Sequence, residues 1–168
     1  LESNTTGSNL TAVGKSALLG NTTGNNNTAV GKQAGTSITT GNTNTAVGKG
    51  ALQSNSTNSA NTAVGNDALT NNTAANNTAV GKDALLSNTT GTENTAVGAT
   101  ALDALTTASN NTAIGYDALS ANQTGEGNTS VGSHSLQANT GAGYNTAVGH
   151  NALKVSSTGN SNTAVGQG

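Results

Sequence analysis

The chain has 168 residues, of which 32% are apolar and 1% aromatic, and it contains no proline, cysteine, methionine, tryptophan or phenylalanine. This composition cannot build a conventional globular core, and its excess of Asn, Thr, Ser and Gly would ordinarily indicate disorder. Only 7% of the residues are charged, the net charge is −2 and arginine is absent, so nucleic-acid binding is not expected. No apolar run approaches the length of a membrane-spanning helix, so we expect no membrane insertion of this segment.

A five-residue motif, Asn-Thr-Ala-Val-Gly, recurs along the whole chain. Its glycines follow a strict 17-residue period, except for one step of 16 between Gly65 and Gly81. A fixed period near this length is typical of solenoids, in which each unit buries its apolar side chains by stacking on the next unit. The sequence therefore predicts a single all-β domain over residues 1–168, a parallel β-solenoid or β-roll of ten 17-residue coils. The motif glycines are Gly14, Gly31, Gly48, Gly65, Gly81, Gly98, Gly115, Gly132, Gly149 and Gly166.

Within each unit, Thr and Val are two positions apart and alternate with Ala and Gly, a period that favours a β-strand. Gly, Asn and Thr are poor helix formers, which disfavours a helix. We predict two short strands per coil, Thr-Ala-Val and the Ala-Leu pair after the glycine, with turns at Asn-Thr-Thr-Gly or Asn-Asn. Stacked coils lie about 4.8 Å apart, so ten coils predict a rod roughly 50 Å long.

Two columns of larger apolar residues are the predicted core. Gly35 interrupts the leucine column, and we expect Ile38 to fill the gap. The valine column is Val13, Val30, Val47, Val64, Val80, Val97, Ile114, Val131, Val148 and Val165, and the leucine column is Leu18, Leu52, Leu69, Leu85, Leu102, Leu119, Leu136 and Leu153.

A column of small residues precedes the valines and has the opposite parity. If Val points into the coil, these alanines point outward and form a smooth stripe for a second backbone; equally, Ala fits a narrow interior. One Val and one Leu bury little area compared with the entropy cost of ordering a whole unit, so we predict a homo-oligomer formed through the alanine stripe. The column is Ala12, Ala29, Ala46, Ala63, Ala79, Ala96, Ala113, Ser130, Ala147 and Ala164.

The asparagine that begins each unit is predicted to form a stacked ladder, each amide bonding the amide of the next coil. The glycine column most simply marks a tight bend. The ladder residues are Asn27, Asn44, Asn61, Asn77, Asn94, Asn111, Asn128, Asn145 and Asn162.

Chemistry-bearing residues are sparse. His134 and His150 follow the glycines of adjacent coils but lack an obvious third metal ligand, so we predict no metal site, no cofactor and no catalytic residues. Lysines directly after the glycines, as at Lys15, Lys32 and Lys49, would form a like-charged ladder, which predicts a solvent-facing edge. Asn-x-Thr/Ser sequons occur at Asn4, Asn9, Asn21, Asn55, Asn88, Asn122 and Asn128, and some are possible glycan acceptors.

The segments Asn44-Thr45-Ala46-Val47-Gly48-Lys49-Gly50-Ala51-Leu52 and Asn111 to Leu119 resemble the head repeats of trimeric autotransporter adhesins. Similar tracts occur in phage and large-virus fibre proteins. The resemblance covers nearly the whole chain and implies a left-handed β-roll, three chains around one axis, extracellular display and attachment to a surface. The period here is longer than in the adhesin heads, and Thr stands where they carry Val. Neither end has a capping repeat, so we expect an excerpt of a longer fibrous protein or a module that stacks end to end.

The leading functional hypothesis is a structural, non-enzymatic fibre module of a surface adhesin or viral fibre, which displays or spaces an attachment function outside the cell, at a cell or virion surface. Its expected partners are copies of itself and a cell-surface or matrix receptor. The alternative is an ice- or surface-binding solenoid that uses the threonine column. That column is Thr11, Thr28, Thr45, Thr62, Thr78, Thr95, Thr112, Thr129, Thr146 and Thr163.

Overall fold

The computed structural model describes all 168 residues as a parallel β-solenoid of ten coils, as the sequence predicts. Each coil contributes one three-residue strand to a single ten-stranded parallel sheet, in which every strand pairs with the strand of the next coil. The strands are β1 Thr11–Val13, β2 Thr28–Val30, β3 Thr45–Val47, β4 Thr62–Val64, β5 Thr78–Val80, β6 Thr95–Val97, β7 Thr112–Ile114, β8 Thr129–Val131, β9 Thr146–Val148 and β10 Thr163–Val165.

The strands stack in strict register. Threonine pairs with threonine and valine with valine or isoleucine along the whole sheet. The one shorter step does not disturb this pattern, because Thr62 still pairs with Thr78 and Val64 with Val80. The shortened unit therefore loses its residue in the turns between the two strands, and the columns continue without a break.

The Ala-Leu pair after each glycine does not form the second strand that we predict from the sequence. All eight leucines of the leucine column have positive φ, between 46° and 55°, as do the residues two positions after the glycines, such as Asp67 and His134. A left-handed residue turns the chain instead of extending it. This segment therefore bends around the coil as a series of turns, which closes the coil within one repeat.

The side-chain parity of the strands is the reverse of the predicted one. The alanine column points into the coil, with no exposed area at the seven positions predicted as an oligomer face: Ala29, Ala46, Ala63, Ala79, Ala96, Ala113 and Ala147. The predicted core positions Val30, Val47, Val64, Val80, Val97 and Ile114 instead face outward and are half-buried or exposed. Ile114 is 41% exposed and Val97 is 36% exposed. The alternative interpretation, that alanine fits a narrow interior, is confirmed.

The limited space inside the coil explains why alanine, and not valine, points inward. Most coils already hold one leucine of the leucine column, and Leu52, Leu69, Leu85, Leu102 and Leu119 are all completely buried. A second alanine column, which includes Ala51, Ala68, Ala84, Ala101 and Ala118, is buried beside them. A valine in place of the strand alanine would overfill this space, because packed interiors do not absorb added methyl groups without strain.

The coil that contains β8 shows that the two alanine columns face each other. Ser130 and Ser135 take both alanine positions in that coil, and both are completely buried. The hydroxyl of Ser130 hydrogen-bonds the hydroxyl of Ser135 and also donates to the Ser135 carbonyl at 2.9 Å. Because buried hydroxyls need partners, serine at one column is accommodated by serine at the other.

The gap in the leucine column is filled as predicted. A Cβ on Gly35 would lie 2.9 Å from the Ile38 Cδ1 atom and 3.2 Å from the Leu18 Cδ2 atom. Ile38 is 1% exposed. The isoleucine side chain therefore occupies the volume that the missing leucine leaves.

The asparagine ladder is present, but its main bond differs from the predicted one. The side-chain oxygen of each asparagine accepts the main-chain N–H of the next, for example from Asn111 to Asn94 at 3.0 Å. The side-chain nitrogen donates to a turn carbonyl of the next coil, as from Asn94 to Ala108 at 2.9 Å. Direct amide-to-amide bonds join some pairs, such as Asn44 and Asn27 at 3.2 Å. Asn27, Asn44, Asn61, Asn77, Asn94, Asn111 and Asn145 are all buried.

A second asparagine column, which we did not recognise in the sequence, lies beside the first in the interior: the Asn27 amide donates to the Asn21 side-chain oxygen and the Asn77 amide to that of Asn72, each at 3.3 Å. Its members close the turn that follows them: the Asn122 side chain donates to the Gly125 carbonyl at 2.8 Å and accepts the Gly125 N–H at 2.9 Å. Ile38 and Leu105 take this column's place in two coils. The column comprises Asn21, Asn55, Asn72, Asn88, Asn122 and Asn139, all with no exposed area.

We expect Asn94→Ala to destabilise the rod markedly. The substitution removes the acceptor of the Asn111 N–H and the donor to the Ala108 carbonyl, and a buried polar group without a partner costs about 1–3 kcal/mol. Urea unfolding followed by circular dichroism measures the loss. Asn71→Ala, which removes one exposed bond to the Leu86 carbonyl, is the matched control and should have little effect; equal losses for the two variants would contradict the ladder's role.

Candidate interaction surface

The outer side of the ten-stranded sheet is the most regular surface of the molecule, and we call it the Thr/Val face. It consists of the first and third residue of each strand: the ten-residue threonine column and the ten-residue valine column. In β2 to β9 the middle residue is buried while these two are half-buried or exposed. None of the twenty positions carries a charge, so the face is an uncharged array of hydroxyl and methyl groups.

The hydroxyls of this face have no hydrogen-bond partner within the protein. Turn threonines behave differently, because their hydroxyls donate to the main-chain carbonyl of the next coil, as from Thr22 to Thr39 at 3.2 Å and from Thr89 to Thr106 at 2.9 Å. The strand carbonyls are already used by the ladder between the strands. The ten strand hydroxyls are therefore available to water or to a partner.

Charged residues lie at the edge of the Thr/Val face. The lysines that follow the glycines, Lys15, Lys32, Lys49 and Lys82, are exposed as predicted. Lys49 Nζ lies 3.9 Å from the Asp67 carboxylate, and Lys82 bonds the neighbouring Asp83, which raises the pKa of Lys82. These exposed pairs contribute little to stability, but they mark the border of the uncharged array.

Near the C-terminal coils the same edge carries an aromatic and histidine cluster. The rings of Tyr116 and His134 meet edge to face with centroids 5.3 Å apart, and His134 and His150 do so at 6.2 Å. The His134 Nε2 atom lies 3.7 Å from the Asp117 carboxylate. The structure brings the two histidines together, as their spacing predicts, but contains no group of three His, Cys, Asp or Glu side chains arranged to hold a metal ion.

The pKa of the Asp103 carboxyl is raised. Partial burial is the main cause, and the charges of Asp117 and Asp83 add to it, against opposing hydrogen bonds from the backbone of Asp103 and Ala104. A folded-state pKa above the unfolded value means that ionisation costs stability. Protonated Asp103 therefore contributes to the free energy of unfolding below the unfolded pKa, and this contribution is lost as the pH rises through the folded pKa.

We expect Asp103→Asn to raise the melting temperature at neutral pH, because the variant cannot ionise. The difference from the parent chain should shrink as the pH falls below the unfolded pKa of an aspartate, where Asp103 is protonated in both states. Thermal melts at several pH values provide the measurement, with the exposed Glu126→Gln as the control. A variant less stable than the parent at neutral pH would contradict the prediction.

Elsewhere the surface offers little concavity. A shallow open depression among the last turns is lined by Thr140, Gly141, Ala142, Ser157, Thr158 and Asn160. Of the sequon asparagines, Asn21, Asn55, Asn88, Asn122 and Asn128 have no exposed area, so a glycan at these five positions is incompatible with the folded rod. No helix of the structure has the length and apolar character that crossing a membrane requires.

A comparison with known proteins finds no matching family model, curated protein or solved structure. The fold is therefore established by the structure itself, and the functional conclusions depend on its geometry.

Proposed function

We propose that this chain is a structural, non-enzymatic fibre module that displays or spaces an attachment function outside the cell, at a cell or virion surface. One observation carries the proposal: the same coil repeats in register from β1 to β10. The alanine, leucine and asparagine columns run along the inside of the rod from the first coils to the last. Almost every inward residue serves the contact between neighbouring coils. A rod built in this way changes its length by whole coils without altering its cross-section.

The resemblance to adhesin heads and viral fibres supports the same proposal, and it is the source of the expected left-handed trimer. Burial of the alanines removes the energetic reason for placing them at a shared axis. Self-association would therefore use other side chains. Light scattering coupled to size exclusion tests this part, because a trimer has three times the 16.1 kDa mass of one chain.

Removal of one whole coil tests the modular rod. Deletion of residues 44–60 removes one complete unit and should join Thr43 to Asn61 in the correct phase, leaving a folded rod shorter by about 4.8 Å. Small-angle X-ray scattering measures the length and circular dichroism the folding. As a control, deletion of residues 44–51 puts the columns out of phase and should unfold the neighbouring coils.

A whole-unit deletion that unfolds the chain, or an out-of-phase deletion that it tolerates, would contradict the modular spacer. The attachment part needs a further test, in which the chain is presented on beads to host cells or extracellular matrix. Beads with no more adhesion than uncoated beads would leave display and spacing as the role of this segment and exclude direct attachment by it.

A further inference from the structure

The Thr/Val face has a property that a spacer does not require. A spacer needs a regular interior, whereas here the exposed side of the sheet is equally regular, with the same hydroxyl and the same branched apolar group in nearly every coil. Other exposed positions vary freely: the residues directly after the glycines include Lys15, Asn66, Ala99, Tyr116 and His150. The uniformity is therefore specific to the sheet and does not extend to the whole surface.

A periodic face suits a periodic partner. Rows of hydroxyl and methyl groups repeat about every 4.8 Å along the rod, and the two columns are separated by two positions along the strand, about 6.6 Å. A protein receptor with an irregular surface would contact the ten equivalent rows in different ways, so it would not require them to be identical. A crystalline surface, or a second copy of this chain, meets every row in the same way.

The unpaired hydroxyls distinguish these two partners. Packing the face against a second copy would leave each hydroxyl only the hydroxyls of the facing threonines as partners, and each one left unsatisfied costs about 1–3 kcal/mol. Water molecules held in a lattice can both donate to and accept from each hydroxyl, and the valine methyl groups can contact the same surface. Because the face has no charge, contact with such a surface does not require the desolvation of an ion.

We propose that the Thr/Val face binds the surface of crystalline ice, and that Thr78, Thr95 and Thr112, in the central coils, belong to the contact. This inference is independent of the fibre proposal, since it concerns the sheet and not the stacking of whole coils. A valine core, as predicted from the sequence, would have turned the threonines inward as well, because Thr and Val lie on the same side of the strand. In the structure both residues point outward, so the threonines are accessible to a surface.

The test is inhibition of ice recrystallisation by the purified chain at micromolar concentration. In the face variant, Thr78→Lys, Thr95→Lys and Thr112→Lys place three charges in the centre of the array, and we expect at least about a tenfold loss of activity per mole. The matched control is Thr90→Lys, Thr107→Lys and Thr124→Lys, three exposed turn positions, and it should keep the parent's activity. Circular dichroism checks that both variants remain folded.

Three outcomes of the ice assay would overturn the proposal: no inhibition by the parent chain, equal activity of the face variant and the parent, or equal loss in the two variants. A parent that self-associates on light scattering, with association lost only in the face variant, would assign the face to a second copy and would also overturn it. None of these results bears on the coil deletions, so failure here is distinguishable from failure of the fibre module.

Discussion

Gly98→Ala is expected to destabilise the solenoid by about 2–6 kcal/mol, which is enough to unfold a marginally stable chain. Two independent costs contribute. Gly98 has φ of +140°, a conformation that residues with a Cβ rarely adopt. In addition, an added Cβ would meet the Gly115 carbonyl oxygen of the next coil at 2.3 Å. Because that oxygen belongs to the backbone of a packed coil, it cannot move aside without breaking the register.

Two further glycines separate these costs. Gly166 has φ of +135° but no atom within 4 Å of the added Cβ, so Gly166→Ala should show only the backbone strain. Gly141 has an ordinary backbone and one side-chain neighbour at 3.2 Å, so Gly141→Ala should be nearly neutral. Urea unfolding should rank the loss of stability as Gly98 first, Gly166 second and Gly141 last. A Gly98 variant as stable as the Gly141 variant would refute the close stacking of the glycine column.

Ala79→Asp is expected to prevent folding of the chain at any oligomeric state. Ala79 has no exposed area and lies between Ala63 and Ala96 in the interior column. An aspartate there would place a carboxylate beside the leucine column without a cation, and an unpaired buried charge costs several kcal/mol. Circular dichroism and light scattering on the same sample measure folding and mass together.

The combined measurement distinguishes the two placements of alanine. If the alanines formed an interface between chains, the variant would be a folded monomer; because they fill the coil, we expect loss of the fold itself. The neighbouring Val80→Asp is the control, since Val80 lies on the Thr/Val face and is half-buried. It should cost about 1 kcal/mol, the span of strand preferences, because the carboxylate stays in contact with water.

Regular features were predictable because the period of the sequence constrains them. A strict repeat requires every coil to have the same path, so the parallel solenoid, the number of coils, the buried leucine column and the stacking of the starting asparagines follow from spacing alone. The filling of the Gly35 gap by Ile38 was also predictable, because a missing large residue in a packed column needs replacement from nearby. The second asparagine column had a signal in the Asn-Thr-Thr-Gly turns, where composition made it look like a set of sequons.

The sequence by itself determined the repeat, the strand over Thr-Ala-Val and the alternation of its side chains. Only the tertiary structure decided which side of the strand faces inward, because alternation assigns Thr and Val to one side and Ala to the other without saying which side has room. The decision came from the leucines: their left-handed backbone closes the coil tightly and places a large side chain inside, which leaves space for alanine only. Because alanine takes the inward position of each strand, the valines and the unpaired threonine hydroxyls lie on the surface, where the proposed ice contact is.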